Sequence, residues 1–152
     1  MIRLGRLTLP CLVVLLAGCA FGPRSSYVTQ LQQPGDAETL ANSVADFVAD
    51  RLPAASSTVA LDPTPSDQSG NALTPALAGA IRRRGFAVAE NGQSVKGNAH
   101  HLRYLITPLD NGDLVRLTLD DATEGARFFQ RNTAGELHAR GPFTVTQAGA
   151  SR

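Results

Sequence analysis

Two runs of alternating apolar and polar residues meet at Asp110-Asn111-Gly112-Asp113, and they limit the fold more than any other stretch of the chain. Residues 101–109 set Leu102, Tyr104 and Ile106 against His101, Arg103, Leu105 and Thr107. Residues 114–120 set Val115, Leu117 and Leu119 against Leu114, Arg116, Thr118 and Asp120. Successive side chains of a strand point to opposite faces, and Asn-Gly between two such runs is a hairpin signal. A pair of strands with one apolar and one charged face is covered on one side and wet on the other. Another part of the chain must supply the cover.

Two helical stripes fit that requirement. Asp36 is the expected N-cap of the first, with Glu38 favourable in its first turn. Ala37, Leu40, Ala41, Val44, Phe47, Val48 and Leu52 recur at helical spacing, and Pro53 ends the element. The second carries Leu73, Leu77, Ala80 and Ile81 on one face and ends at Arg84, with Gly85 as its left-handed stop. Its start has two readings. Either Ser66 and Asp67 open it and Pro75 kinks it, or Thr74 caps a shorter helix with Pro75 in first position.

Short strands are expected at 57–61 and 86–89, with further strands at 127–131 around Phe128-Phe129 and at 143–146. A turn region over 132–141 separates the last two. The order is α-β-α-β followed by a β-meander. The expected fold class is α+β, a two-layer sandwich with two helices packed on one face of a mostly antiparallel sheet. This domain spans 36–147, and 148–152 form a loose tail.

The first eighteen residues read differently. Arg3 and Arg6 precede a nearly continuous apolar run over 7–16, the layout of a secretory leader. The run is well short of the ~20 apolar residues that a spanning helix needs. It closes on Leu16-Ala17-Gly18-Cys19, which resembles the lipobox of bacterial lipoproteins. That resemblance implies cleavage before Cys19, with a diacylglyceryl group on its thiol and an acyl chain on its new amino group. Several acyl chains anchor a protein stably where one does not. Ala20 follows the cysteine where an Asp would resemble an inner-membrane retention signal, so the outer membrane is implied. Residues 19–35 then form the lipidated N-terminus and a flexible tether, interrupted by Gly22-Pro23 and Pro34-Gly35. Within it, Tyr27-Val28-Thr29 and Leu31 have the alternative reading of a short strand or partner-binding segment.

Loss of the leader takes the chain from 14 cationic and 13 acidic residues to 12 and 13, near neutrality. This balance argues against nucleic acid as a partner. Cys11 leaves with the leader and Cys19 takes lipid, so no disulfide forms within the domain. Lys96 is the only lysine, and residues 93–97 lack the glycines of a phosphate-binding loop. Gly92-Gln93-Ser94-Val95-Lys96 lacks the second glycine of a strained serine turn. His100 and His101 are adjacent and point to opposite faces, while His138 falls in a turn. Asp120, Asp121 and Glu124 lack the alternating spacing of a calcium loop and read as a solvated strand end. No catalytic residue, metal site, cofactor or small-molecule substrate is expected. Arg82, Arg83 and Arg84 either complement the negative end of a helix dipole or dock an acidic surface of a partner protein.

Taken together, these segments resemble the TrbH family of small lipoproteins from conjugal transfer (mating-pair formation) clusters. The resemblance covers nearly the full length. It rests on Leu16-Ala17-Gly18-Cys19, Leu40-Ala41-Asn42-Ser43-Val44-Ala45, Ser57-Thr58-Val59-Ala60-Leu61 and Gly70-Asn71-Ala72-Leu73. It continues through Arg84-Gly85-Phe86-Ala87-Val88, Tyr104-Leu105-Ile106, Val115-Arg116-Leu117 and Pro142-Phe143-Thr144-Val145-Thr146-Gln147. It implies an outer-membrane-anchored, periplasm-facing structural or accessory part of a type IV secretion apparatus, whose partners are other envelope or channel proteins. The alternatives are a lipoprotein of a flagellar, pilus or cell-wall synthesis assembly, or a periplasmic ligand-binding protein.

Overall fold

The stripe that begins at Ala37 winds into α1 (Asp36–Ala49) in the computed structural model, which describes residues 25–65, 71–90, 93 and 99–147. Residues 1–24, with the expected leader and Cys19 among them, and the expected tail over 148–152 lie outside that set. Leu40, Ala41, Val44, Phe47 and Val48 are fully buried, as the helical spacing requires. Asp36 is not the cap. Gly35 holds that position without a side-chain bond, and Asp36 is the first helical residue. Its carboxylate turns back to accept the Gln33 and Gln32 amides at 2.9 and 3.2 Å.

The second helix, α2 (Leu73–Arg83), starts at neither expected point. The Thr74 amide and hydroxyl both donate to Asn71 Oδ1, at 2.8 and 3.0 Å. Pro75 is then the third helical residue, within the first turn, where amides have no acceptor inside the helix and a missing donor costs nothing. Gly85 follows at φ 87, the left-handed stop that the sequence predicts.

Both helices lie on one face of an open seven-stranded sheet. Its strands are β1 (Tyr27–Val28), β2 (Thr58–Leu61), β3 (Ala87–Ala89), β4 (Ala99–Leu109), β5 (Gly112–Leu119), β6 (Thr123–Arg131) and β7 (Leu137–Gln147). The order is β3-β2-β4-β5-β6-β7. The β4-β5-β6-β7 half is antiparallel, whereas β2 runs parallel to both β3 and β4. The remaining strand corrects the expected boundary of the tether. β1 pairs in parallel with Leu105 and Ile106, end to end with β2 along the same edge of β4. Ser26 closes the junction, because its amide donates to the Pro63 carbonyl at 2.9 Å. Its hydroxyl accepts the Tyr104 amide at 3.2 Å. Ser26 and Val28 are both buried, so residues 26–28 belong to the folded body.

Three turns shape the meander. Leu109 pairs with Gly112, leaving Asp110-Asn111 as the first loop, one residue earlier than expected. Gly112 has φ 152 and sits so close to β6 that a Cβ would lie 1.9 Å from the Phe129 carbonyl oxygen. Asp120 and Asp121 both have φ 55, and the Ala122 amide donates to the Leu119 carbonyl at 3.1 Å. This is a type I′ turn, which aspartate tolerates better than most residues. The third loop is tied by Asn132 Oδ1, which accepts the Ala134 and Glu136 amides at 2.9 Å each.

Consequently β6 begins at Thr123 rather than 127, and β7 begins at Leu137 rather than 143. Gly141-Pro142 interrupts the alternation that reveals a strand. The structure absorbs it as a bulge on β7, where residues 141–143 oppose the single Arg127 of β6 between the Ala126–Thr144 and Phe128–Arg140 pairs. Proline is acceptable there because β7 is an edge strand, with no further strand on its outer side among the described residues.

The core lies between the layers, with Leu102, Tyr104, Ile106, Val115 and Leu117 facing the helices. Gly125 lets α1 approach the sheet, since a Cβ there would meet the Phe47 ring at 2.4 Å. Phe47 in turn meets the edge of Phe143, with ring centroids 4.9 Å apart. The Tyr104 hydroxyl is buried beneath α2 and shares a 2.8 Å hydrogen bond with Thr74 Oγ1.

Candidate interaction surfaces

The covered face holds one charged cluster. Arg131 shares its strand face with Phe129, where an apolar residue would be expected. Its guanidinium takes the Asp36 carboxylate in two bonds, 2.7 and 3.1 Å. It also donates to Asp113 at 3.1 Å and to the Gly135 carbonyl at 2.8 Å. Arg131 is 11% exposed, and the two carboxylates 2% and 3%. Burial works to raise the Asp36 carboxyl, but bonds from Arg131 and the Gln33 and Gln32 amides outweigh it and hold it below the usual range. Asp113 goes the other way. Burial and the nearby Asp36 charge lift it, and a single contact with Arg131 compensates only in part.

This cluster joins residues 95 positions apart and ties the start of α1 to the end of β6. No periodicity in the sequence announces it. The available signal was the parity of Arg127 and Arg131 with Phe129, two cations on the side of a strand that should face a core. Arg127 is handled similarly, donating to Ser43 Oγ at 2.8 Å and lying 5.4 Å from the ring centroids of Phe129 and Phe143.

The arginine run at the end of α2 divides. Arg84 is taken up by the fold. Its Nε and Nη2 both donate to Asp46, at 2.9 and 2.6 Å. Further bonds reach the Asn42 and Ala80 carbonyls, at 3.0 and 3.1 Å. Arg82 and Arg83 stay at the surface, with bonds to Glu90 (2.6 Å) and Asn42 (3.4 Å).

The adjacent histidines take separate partners. His100 Nδ1 lies 2.6 Å from Asp120, and His101 Nδ1 lies 3.2 Å from Asp62. His138 neighbours Asn132 at 2.9 Å. Among the described residues no three His, Cys, Asp or Glu gather where they would hold a metal ion.

The face of the sheet away from the helices is uncovered. Arg103, Leu105 and Leu109 of β4 project there, beside Leu114 and Arg116 of β5 and Phe128 of β6. Arg140 pairs with Phe128, and Tyr27 pairs with Leu105, so both share this face. A shallow depression of about 400 Å³ runs across it, lined by Ser25, Arg103, Leu105, Arg116, Thr118 and Glu124 among others. Tyr27 and Leu109 are each 49% exposed. A second accessible feature is the outer edge of β7, an eleven-residue strand with no strand beyond it among the described residues.

Leu16, Ala17, Gly18 and Cys19 fall outside the described residues. Among those described, no helix is long and apolar enough to cross a membrane. No curated protein and no solved structure shows significant similarity to the chain. A family model does match, that of conjugal transfer protein TrbH, over residues 21–149 and hence over the whole sandwich. The chain belongs to the conjugal transfer protein TrbH family and is a component of conjugal transfer.

Proposed function

We propose that this chain is a lipoprotein held by acylated Cys19 in the inner leaflet of the outer membrane, facing the periplasm. There it acts as a structural or accessory part of the conjugal type IV secretion apparatus, through contacts with other envelope and channel proteins. Membership of the TrbH family carries the reading. The layout of Arg3, Arg6, the apolar run and Leu16-Ala17-Gly18-Cys19 supports the anchor. In this role the protein performs no catalysis and needs no cofactor beyond its covalent lipid.

The outer edge of β7 supports a mode of contact. Main-chain donors and acceptors on an edge strand take an added strand from a partner. The bulge at Gly141-Pro142 interrupts the regular pairing register of β7, which limits pairing to a partner of matching shape. Arg82 and Arg83, exposed at the end of α2, offer a separate point of contact for an acidic protein surface.

Replacing Cys19 by Ser tests the reading. The variant is expected to leave the outer-membrane fraction and to lower plasmid transfer. Normal fractionation together with normal mating would overturn the anchored role.

A further inference from the structure

Six positions separate Cys19 from Ser25. Whatever path those residues take, they reach at most about 20 Å. Ser25 is where the described chain meets the sheet, and it lines the depression on the uncovered face. A lipid on Cys19 therefore brings the sandwich within one layer's thickness of the bilayer, and the composition of its two outer sides decides which one turns inward.

The helix layer carries Glu38, Asp46 and Asp50 at the surface against Arg82 and Arg83 at the end of α2, with Arg82 paired to Glu90, and so has no excess of positive charge. The uncovered sheet face carries Arg103, Arg116 and Arg140 against Glu124, with Asp62 at its margin buried and bonded to His101. It also holds Tyr27 and Leu109, two of the three large apolar side chains that the described residues leave exposed. Aromatic and aliphatic groups beside arginines are the mixture that settles at a bilayer interface, where the stems bury and the guanidinium groups reach the phosphates.

We propose that the uncovered sheet face is a membrane-contacting surface that rests on anionic phospholipid headgroups, so that the helix layer points into the periplasm and the β7 edge faces sideways, along the membrane. This rests on the proposed lipid anchor and adds an orientation to it. Cationic side chains near an anionic lipid surface are attracted individually, and the short covalent reach keeps their local concentration high.

The test uses the mature lipidated chain in vesicles of phosphatidylethanolamine with phosphatidylglycerol. Cys19 carries lipid and Cys11 is gone, so a Leu109→Cys change supplies one thiol for an environment-sensitive fluorophore. Glu38→Cys on the helix layer is the control. The label at position 109 is expected to shift to the blue and to be quenched by headgroup spin-labelled lipid, while the label at 38 stays water-exposed. Arg116→Glu with Arg140→Glu should abolish the shift at 109 while the chain still floats with the vesicles. A floating chain whose label at 109 is exposed to water overturns the orientation alone, as does protection that survives the charge reversal or appears only on adding a protein partner. A chain that fails to float overturns the anchor, and this inference with it.

Discussion

Arg131 and Arg116 stand on opposite faces of the same sheet, on neighbouring strands, and their surroundings differ completely. Arg131 is enclosed between Asp36 and Asp113 and also bonds the Gly135 carbonyl. Arg116 projects into solvent beside Leu105. The same side chain is thus structural on one face and free for recognition on the other, and the helix layer makes the difference. Once α1 closes over β6, a charge on that side must be paired, because an unpaired buried ion loses several kcal/mol of hydration.

The largest effect expected from that contrast comes from Arg131→Met. It leaves Asp36 and Asp113 buried without a cation and should cost about 3–5 kcal/mol, read from urea unfolding curves. A loss below about 1 kcal/mol would mean that the cluster is not enclosed as described.

Asp113→Asn is expected to raise stability at neutral pH, on the order of 1 kcal/mol, and to change the pH profile. The Asp113 carboxyl is raised in the folded state. The native chain therefore binds its proton first as pH falls, and stability rises from the raised value down to the ordinary ~3.9. The Asp36 carboxyl is depressed. Its contribution is present above ~3.9 and is lost as pH drops through the depressed value. Unfolding followed against pH should show a rise and then a fall, and Asp113→Asn should remove only the rise.

The smallest effect belongs to the uncovered face. Arg116→Ser should alter stability by no more than about 0.5 kcal/mol in thermal unfolding. A larger loss would indicate that this face is packed rather than free.

How far the sequence disclosed this arrangement depended on the range of the interactions. The β4–β5 hairpin and the apolar stripes of both helices were legible, since alternation and helical spacing are local and repeated. The strand β1 was legible only as one alternative for Tyr27-Val28-Thr29. Two residues are too short for a period, and their place is set by Ser26 and Val28 fitting an edge nearly eighty positions away. The early part of β7 was hidden by Gly141-Pro142, which reads as a turn and acts as a bulge. The Asp120-Asp121 turn was also missed, because the usual signal is a glycine and the conformation here is carried by two aspartates. The Asp36–Arg131 pairing joins distant residues, and only an arginine of the wrong parity hinted at it. The uncovered charged face, by contrast, was legible from the alternation of β4 and β5.

The placement of β1 against β4 also bears on how the protein can be trimmed. A fragment starting at Asp36, where sequence alone would put the domain boundary, discards Ser26 and Val28. It leaves a notch in the sheet just past the end of β2, with the Tyr104 amide unsatisfied and the space beneath Ile106 unfilled. Such a notch invites the first loose extended peptide it meets, including the cut end of a neighbouring copy, so the shortened product would tend to clump where the longer one stays dispersed.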